Sequence, residues 1–185
     1  MEREEAVKHM TDVMAKFVAF TGKRLPDDVR AKIEELAQQE EEPLAKAIYK
    51  TMARNQELAV KLNRPSCQDT GALQFFVKCG TAFPYMADLP ELLRQAVVQA
   101  TKDAPLRHNA VETFDEYNTG KNVAKNIPSL FWDIAPGRDD CEIYTYMAGG
   151  GCSLPGHAKV LMPGEGYEGV TKFVVRCYRL CLGRE

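Results

Sequence analysis

Residues 64–79 read Arg-Pro-Ser-Cys-Gln-Asp-Thr-Gly-Ala-Leu-Gln-Phe-Phe-Val-Lys-Cys. Pro65 closes whatever helical pattern precedes it, because the residue before a proline is pushed out of the helical region. Gly71 permits a sharp turn. Leu73 to Cys79 is apolar, β-branched and aromatic enough to predict a strand. The chain changes character at this point, and both directions from it are informative.

Toward the N-terminus the apolar residues have helical spacing. Val7, Met10, Val13, Met14, Phe17 and Val18 recur at three- and four-residue steps, predicting an amphipathic helix over residues 2–21. Pro26, Asp27 and Asp28 open a second helix running through Ile33 and Leu36, since proline suits the first turn and acids favour its positive end. A polar break at 38–42 precedes a third helix from Pro43, with Leu44, Ile48, Met52 and Leu58 toward one side.

Toward the C-terminus helices and strands mix. Asp88 is placed to cap a helix over 90–102, with Glu91 completing a capping box. Leu130–Ile134 and Ile143–Met147 predict two further strands. A glycine turn follows at 149–151, then a short apolar run at 160–162. Gly164, Gly166 and Gly169 read as a loop capping a last helical pattern with Val170, Phe173 and Val174. The expected class is α/β (α+β): an N-terminal three-helix segment, then a small mixed sheet with flanking helices. As one domain, 1–185 divides into a helical segment 1–63, a mixed α/β segment 64–172 and an atypical tail 173–185.

The chain has 185 residues, with 24 Lys+Arg against 26 Asp+Glu and a net charge of −2. That balance argues against a dedicated nucleic-acid binder. No apolar run reaches the roughly 18 residues of a membrane span. The acidic start, Met-Glu-Arg-Glu-Glu, does not read as a signal peptide, so a cytoplasmic protein is expected. Cys67, Cys79, Cys141, Cys152, Cys177 and Cys181 then read as thiols or ligands rather than disulfides. None forms a C-x-x-C pair.

Three stretches carry candidate chemistry. The first is the loop 64–71, which sets a thiol, an amide, a carboxylate and a hydroxyl side by side; the same residues also make an ordinary polar turn. The second is Ala148-Gly149-Gly150-Gly151-Cys152, where bare backbone can approach a ligand or simply flex. The third is Pro105-Leu106-Arg107-His108-Asn109, where a guanidinium would suit a carboxylate. Gly164-x-Gly166-x-x-Gly169 fits the dinucleotide pattern in letters only, because the preceding strand is short and the acidic residue about 20 positions on is missing. His9 reads as a surface residue, while His108 and His157 lie beside candidate loops. Cys177 and Cys181 share a helical face and read as structural. Trp132 reads as core.

Taken in order, CQDTG (67–71), PLRHNAV (105–111), NTGKN (118–122) and AGGGCSLPG (148–156) resemble the iron–sulfur hydro-lyases, the group of class I fumarases and L(+)-tartrate dehydratase α subunits. Cys152 follows the glycine run where the fumarases carry serine, so the likeness leans to the tartrate branch. The motif likeness runs to about Phe173.

The resemblance implies a [4Fe-4S] cluster held by three cysteines, of which Cys67 matches the first. It implies Asp69 as the acid for a departing hydroxyl. Gln68, Arg107 and the backbone at Gly150 would bind a small dicarboxylate. The implied reaction removes water from a 2-hydroxy diacid, L-tartrate to oxaloacetate, with malate/fumarate hydration as the alternative. The family's second cluster cysteine has no counterpart in Val175–Leu182. A β subunit or C-terminal domain would supply the remaining groups in a hetero-oligomer, so the chain alone is expected to be inactive. A truncated subunit acting only as a partner-binding scaffold is the non-catalytic alternative.

Overall fold

The computed structural model describes residues 2–112, 114–153 and 156–181, without the side chains of Cys152, Ser153 and Cys181. Residues 1–149 and 150–185 form two separate compact units.

The first unit begins with α1 (Arg3–Lys23), α2 (Asp27–Gln39) and α3 (Pro43–Lys61). The boundaries follow the local chemistry: Asp27 and Asp28 occupy the first turn of α2, and Pro43 opens α3. Strand β1 (Ala72–Gly80) is followed by α4 (Leu89–Asp103), the short hairpin of β2 (Val111–Glu112) and β3 (Tyr117–Asn118), then β4 (Ser129–Ala135) and β5 (Cys141–Ala148). β1 is the central strand of three, parallel to β4 and antiparallel to β5. The mixed sheet with flanking helices is the expected α/β class.

The core lies on one face of that sheet. Leu73, Phe75, Val77 and Cys79 alternate along β1 and are buried. They are covered by α1 and α4, which pack together. α4 contributes Leu89, Leu92, Leu93, Val97 and Ala100. α1 contributes Ala6, Ala15, Val18 and Ala19, so mostly small residues face the core. The apolar periodicity of α1 is therefore split. Val18 is buried, but Val13 and Phe17 lie on the open side at 48% and 43% exposure. α3 departs further: Leu44, Ile48 and Met52 are exposed, and Ala59 is its one buried residue.

Two expectations fail for identifiable reasons. Asp88 makes no side-chain cap to α4. A run of tight turns, with Met86 N–H bonded to Phe83 O and Asp88 N–H to Tyr85 O, leaves Asp88 at φ −85°, ψ −21°. A capping residue needs extended backbone to fold its side chain back over the helix end. The Asp88 carboxylate instead accepts from Arg3 of α1 at 2.6 Å. Trp132 is the second: it sits on edge strand β4 opposite Val77, and the covering helices do not reach across it, leaving it 40% exposed. On the opposite face of the sheet Phe76 stacks on Phe131 with centroids 4.9 Å apart.

In the second unit the expected glycine turn at 149–151 is partly helical: Gly150–Ser153 form the one-turn α5. Gly164 lies in a 3₁₀ turn, Pro163–Glu165, that runs directly into α6 (Gly166–Cys181). Gly166 and Gly169 thus belong to the helix rather than to a loop before it. Phe173 and Cys177 are half-buried, whereas Val174 and Tyr178 are exposed. Leu154, Pro155 and the tail 182–185 lie outside the described residues. Among the described residues no helix is long and apolar enough to cross a membrane.

Two positions test this packing. Leu93 is fully buried between α4 and β1, so Leu93→Ala is expected to cost about 2–5 kcal/mol in chemical denaturation. Gly71 has φ +70°, and a Cβ there would stand 2.1 Å from the Ala148 carbonyl. Gly71→Ala therefore adds backbone displacement to a left-handed penalty of about 1–2 kcal/mol, and its melting temperature is expected to fall accordingly.

Candidate functional site

The loop that carries Cys67, Gln68 and Asp69 is fixed at its start by the end of α3. Asn63 takes φ +51° after the helix, with Asn63 N–H bonded to Val60 O and Arg64 N–H to Ala59 O. That pair of bonds is the Schellman closure, with asparagine in the left-handed position usually held by glycine. The Asn63 side chain then joins three helix ends. Its Oδ1 accepts from Lys23 Nζ at 2.8 Å, and its Nδ2 donates to Asp103 O at 2.9 Å. Three residues on, Ser66 N–H donates to Gly22 O at 2.9 Å, and Asn55 Nδ2 donates to Ser66 O at 2.6 Å.

The exposed tip follows. Cys67 and Gln68 reach solvent. Asp69 N–H donates to Cys67 Sγ at 3.4 Å. The Asp69 carboxylate turns back over its own loop: Oδ1 accepts from Gly71 N–H at 3.1 Å. A Cβ on Gly149 would lie 2.4 Å from Asp69 Oδ2. Glycine at 149 is thus what lets the end of β5 run under the carboxylate.

The second half of the site is the segment after α4. Thr70 is buried, and its Oγ1 accepts from Arg107 N–H at 2.9 Å. Asn109 Nδ2 donates to Asp69 Oδ1 at 2.5 Å. Behind both stands Asn122, 1% exposed and at φ +55°. Its Nδ2 donates to Arg107 O at 2.9 Å and to Thr101 Oγ1 at 3.2 Å, and its Oδ1 accepts from Asn109 N–H at 2.8 Å. Asn118 Nδ2 donates to His108 O at 2.8 Å. Arg107 and His108 carry exposed side chains beside the Asp69 carboxylate's support.

Of the residues singled out from sequence, Cys67, Gln68, Asp69 and Arg107 belong to two segments joined by hydrogen bonds within the first unit. Gly150 opens α5 in the second unit. Thr70, Asn109 and Asn122 emerge as the residues that hold the segments together. The NTGKN stretch was visible as a motif, but the role of its last asparagine was not, because a buried positive-φ asparagine looks in sequence like any loop asparagine. His9 is exposed, as expected for a surface residue, and so is His157.

As a metal site, the first unit offers a single thiol at this place. Cys79 and Cys141 face each other across β1 and β5 at the far end of the sheet. Eight residues of strand, about 26 Å, separate that end from Gly71. Burial and the neighbouring Cys79 push the Cys141 thiol up to about 12, which makes it a poor ligand. Cys177 lies on α6, and the side chains of Cys152 and Cys181 are outside the described residues. Among the described residues no three His, Cys, Asp or Glu side chains gather to hold a metal ion. The exposed Cys67 fits one corner of a cluster and no more.

Known proteins are similar to this chain along most of its length. It is 55% identical over 172 residues to the L(+)-tartrate dehydratase subunit alpha of Escherichia coli K12, covering 93% of this chain. The subunit of the same name from Shigella boydii Sb227 matches equally at 55%. A more distant relative from Methanocaldococcus jannaschii, provisionally given that name, is 29% identical over 169 residues. The chain spans 57% of the length of the E. coli relative. Residues 11–181 match the family described as fumarate hydratase (Fumerase), reaching past the Phe173 limit of the motif likeness. With nearly its whole length matched, the chain belongs to the fumarate hydratase (Fumerase) family.

Proposed function

We propose that this chain is the α component of an iron–sulfur hydro-lyase that removes water from a 2-hydroxy dicarboxylic acid, with L-tartrate as the substrate. The observation that carries the reading is the latch between the Cys67–Gly71 loop and the Arg107–Asn109 segment, which sets an acid and a carboxylate-binding cation on one rigid support. The tartrate choice follows from the name of the 55% identical relative.

Hydroxide is a poor leaving group, and a proton delivered as the C–O bond breaks lowers the barrier. Asp69 is the residue for that proton: its carboxylate is oriented by Gly71 and Asn109 while the neighbouring Cys67 and Gln68 remain open to solvent. Arg107 pairs with a substrate carboxylate through its planar fork. Gln68 offers an amide to the substrate. Cys67 would hold one iron of a [4Fe-4S] cluster, whose other ligands come from residues outside the described set or from a partner. Such a cluster supplies a Lewis acid for the leaving oxygen. The carbon-bound proton goes to a base on a β subunit or C-terminal domain. Loss of H₂O from tartrate leaves an enol that tautomerises to oxaloacetate, so the atoms balance without an oxidant.

Fumarate hydration is the second reading, favoured by the description of the family. A panel of L-tartrate, malate and fumarate, given to the chain assembled anaerobically with its β-type partner, separates the two. Oxaloacetate release from tartrate is the expected result. Turnover of none of the three by the iron-loaded assembly would leave the scaffold reading in its place.

Two variants test the roles within that assembly. Asp69→Asn is expected to lower kcat by about 10²-fold or more while iron content is unchanged; near-normal turnover removes Asp69 from the mechanism. Arg107→Ala is expected to raise KM by the equivalent of roughly 2–5 kcal/mol, toward the lower end because the side chain is exposed here. Lysine at 107 should restore only part of the loss, since a point charge lacks the fork. An unchanged KM would mean that the guanidinium does not meet the substrate.

A further inference from the structure

Asn109 presents an asymmetry that packing alone does not explain. Its Nδ2 donates to Asp69 Oδ1 at 2.5 Å, whereas its Oδ1 is buried with no hydrogen-bond donor. A buried acceptor left unpaired is costly, and native structures rarely retain one without a reason. Serine or alanine would occupy this position without an orphaned oxygen. The advantage of the amide here is its NH₂ end, directed at the carboxylate. Turning the amide over would set oxygen against oxygen, so Asp69 itself fixes the orientation.

The main chain of Asn109 is held just as firmly. Its N–H donates to Oδ1 of the buried Asn122 at 2.8 Å, and the Nδ2 of Asn122 grips Arg107 O at 2.9 Å. Asp69 Oδ1 therefore receives two donors, the Asn109 amide and Gly71 N–H. Together these two donors fix the rotation of the carboxylate.

We propose that Asn109 is the positioning residue for Asp69: locked from behind by Asn122, it fixes the rotation of the carboxylate. This rests on Asp69 acting as the proton donor. Asn109 itself does not touch substrate. Its removal should spare binding and slow the chemical step.

The kinetic test uses the chain assembled with its β-type partner and loaded with iron. Asn109→Ala is expected to lower kcat about 10- to 100-fold with KM within about twofold, the scale of a misplaced catalytic group. Asn109→Asp keeps the volume but replaces the donor with a second carboxylate, and is expected to be slower still. A space-filling role predicts the reverse order. In an Asp69→Asn background, Asn109→Ala should add less than about threefold, because the two act as one unit. Unchanged kcat for Asn109→Ala, or a KM that rises in step with its loss, overturns the proposal.

A second measurement is independent of turnover. In the ¹⁵N-labelled 185-residue chain, the Asn109 side-chain NH₂ should resonate downfield and exchange slowly, and lose both properties in Asp69→Ala. An Asn109 amide that exchanges as fast as exposed asparagines overturns the positioning role alone. A protected amide combined with normal turnover in Asp69→Asn overturns the reading of Asp69 as the acid, and the positioning role with it.

Discussion

Gly71 is the constraint on which the arrangement turns. At φ +70° the chain leaves the Cys67–Thr70 loop and enters β1 within van der Waals reach of Ala148 and Gly149, where β5 ends. No side chain fits between them. Because β1 and β5 are antiparallel and paired from Ala72↔Ala148 to Cys79↔Cys141, this contact also sets the register of the sheet. A slip of one residue would turn Leu73, Phe75 and Val77 from the helix-covered face to the open one. Placement of the acidic loop and burial of the core are therefore one geometric condition, met at a single glycine.

The two halves of the unit are stabilised by different physics. The core is held by area: aliphatic side chains of β1 and α4 and the alanines of α1 exclude water, with few polar groups involved. The site is held by direction. Thr70, Asn109 and Asn122 exchange hydrogen bonds with backbone groups of segments that form no regular structure. Those backbone groups would otherwise be buried without partners. Asparagine suits this task because one side chain donates and accepts in the same plane and tolerates left-handed backbone, as at positions 63 and 122.

That division explains what could be read in the sequence. Helices and strands follow from periodicity, and β1, β4 and β5 fall within two residues of their expected limits. Cys67, Asp69 and Arg107 stand out because thiol, carboxylate and guanidinium are chemically loud in polar loops. The capping role of Asp88 fails because the turns preceding α4 fix its backbone, and local spacing carries no record of those turns. Trp132 is misplaced because its burial depends on how far two helices extend over an edge strand. Asn109 and Asn122 are silent for a related reason. Their importance lies in contacts between residues 13 to 40 positions apart, and a single sequence does not record such pairs.

A rigid latch also has a thermodynamic consequence for how a small diacid would be handled. A flexible acid must be ordered when substrate arrives, and that cost is subtracted from binding. Here the order is set when the core folds: Asp69 is bonded to Asn109, which is bonded to Asn122, which is bonded to Thr101 of α4. The helix that covers the sheet thus supports the carboxylate through three side chains. Cys67 and Gln68, by contrast, are exposed at the loop tip, outside this chain of hydrogen bonds. On the proposed role of Asp69, separating a fixed acid from free contact groups would keep reorganisation out of the chemical step, which is the condition under which a positioned proton donor is most effective.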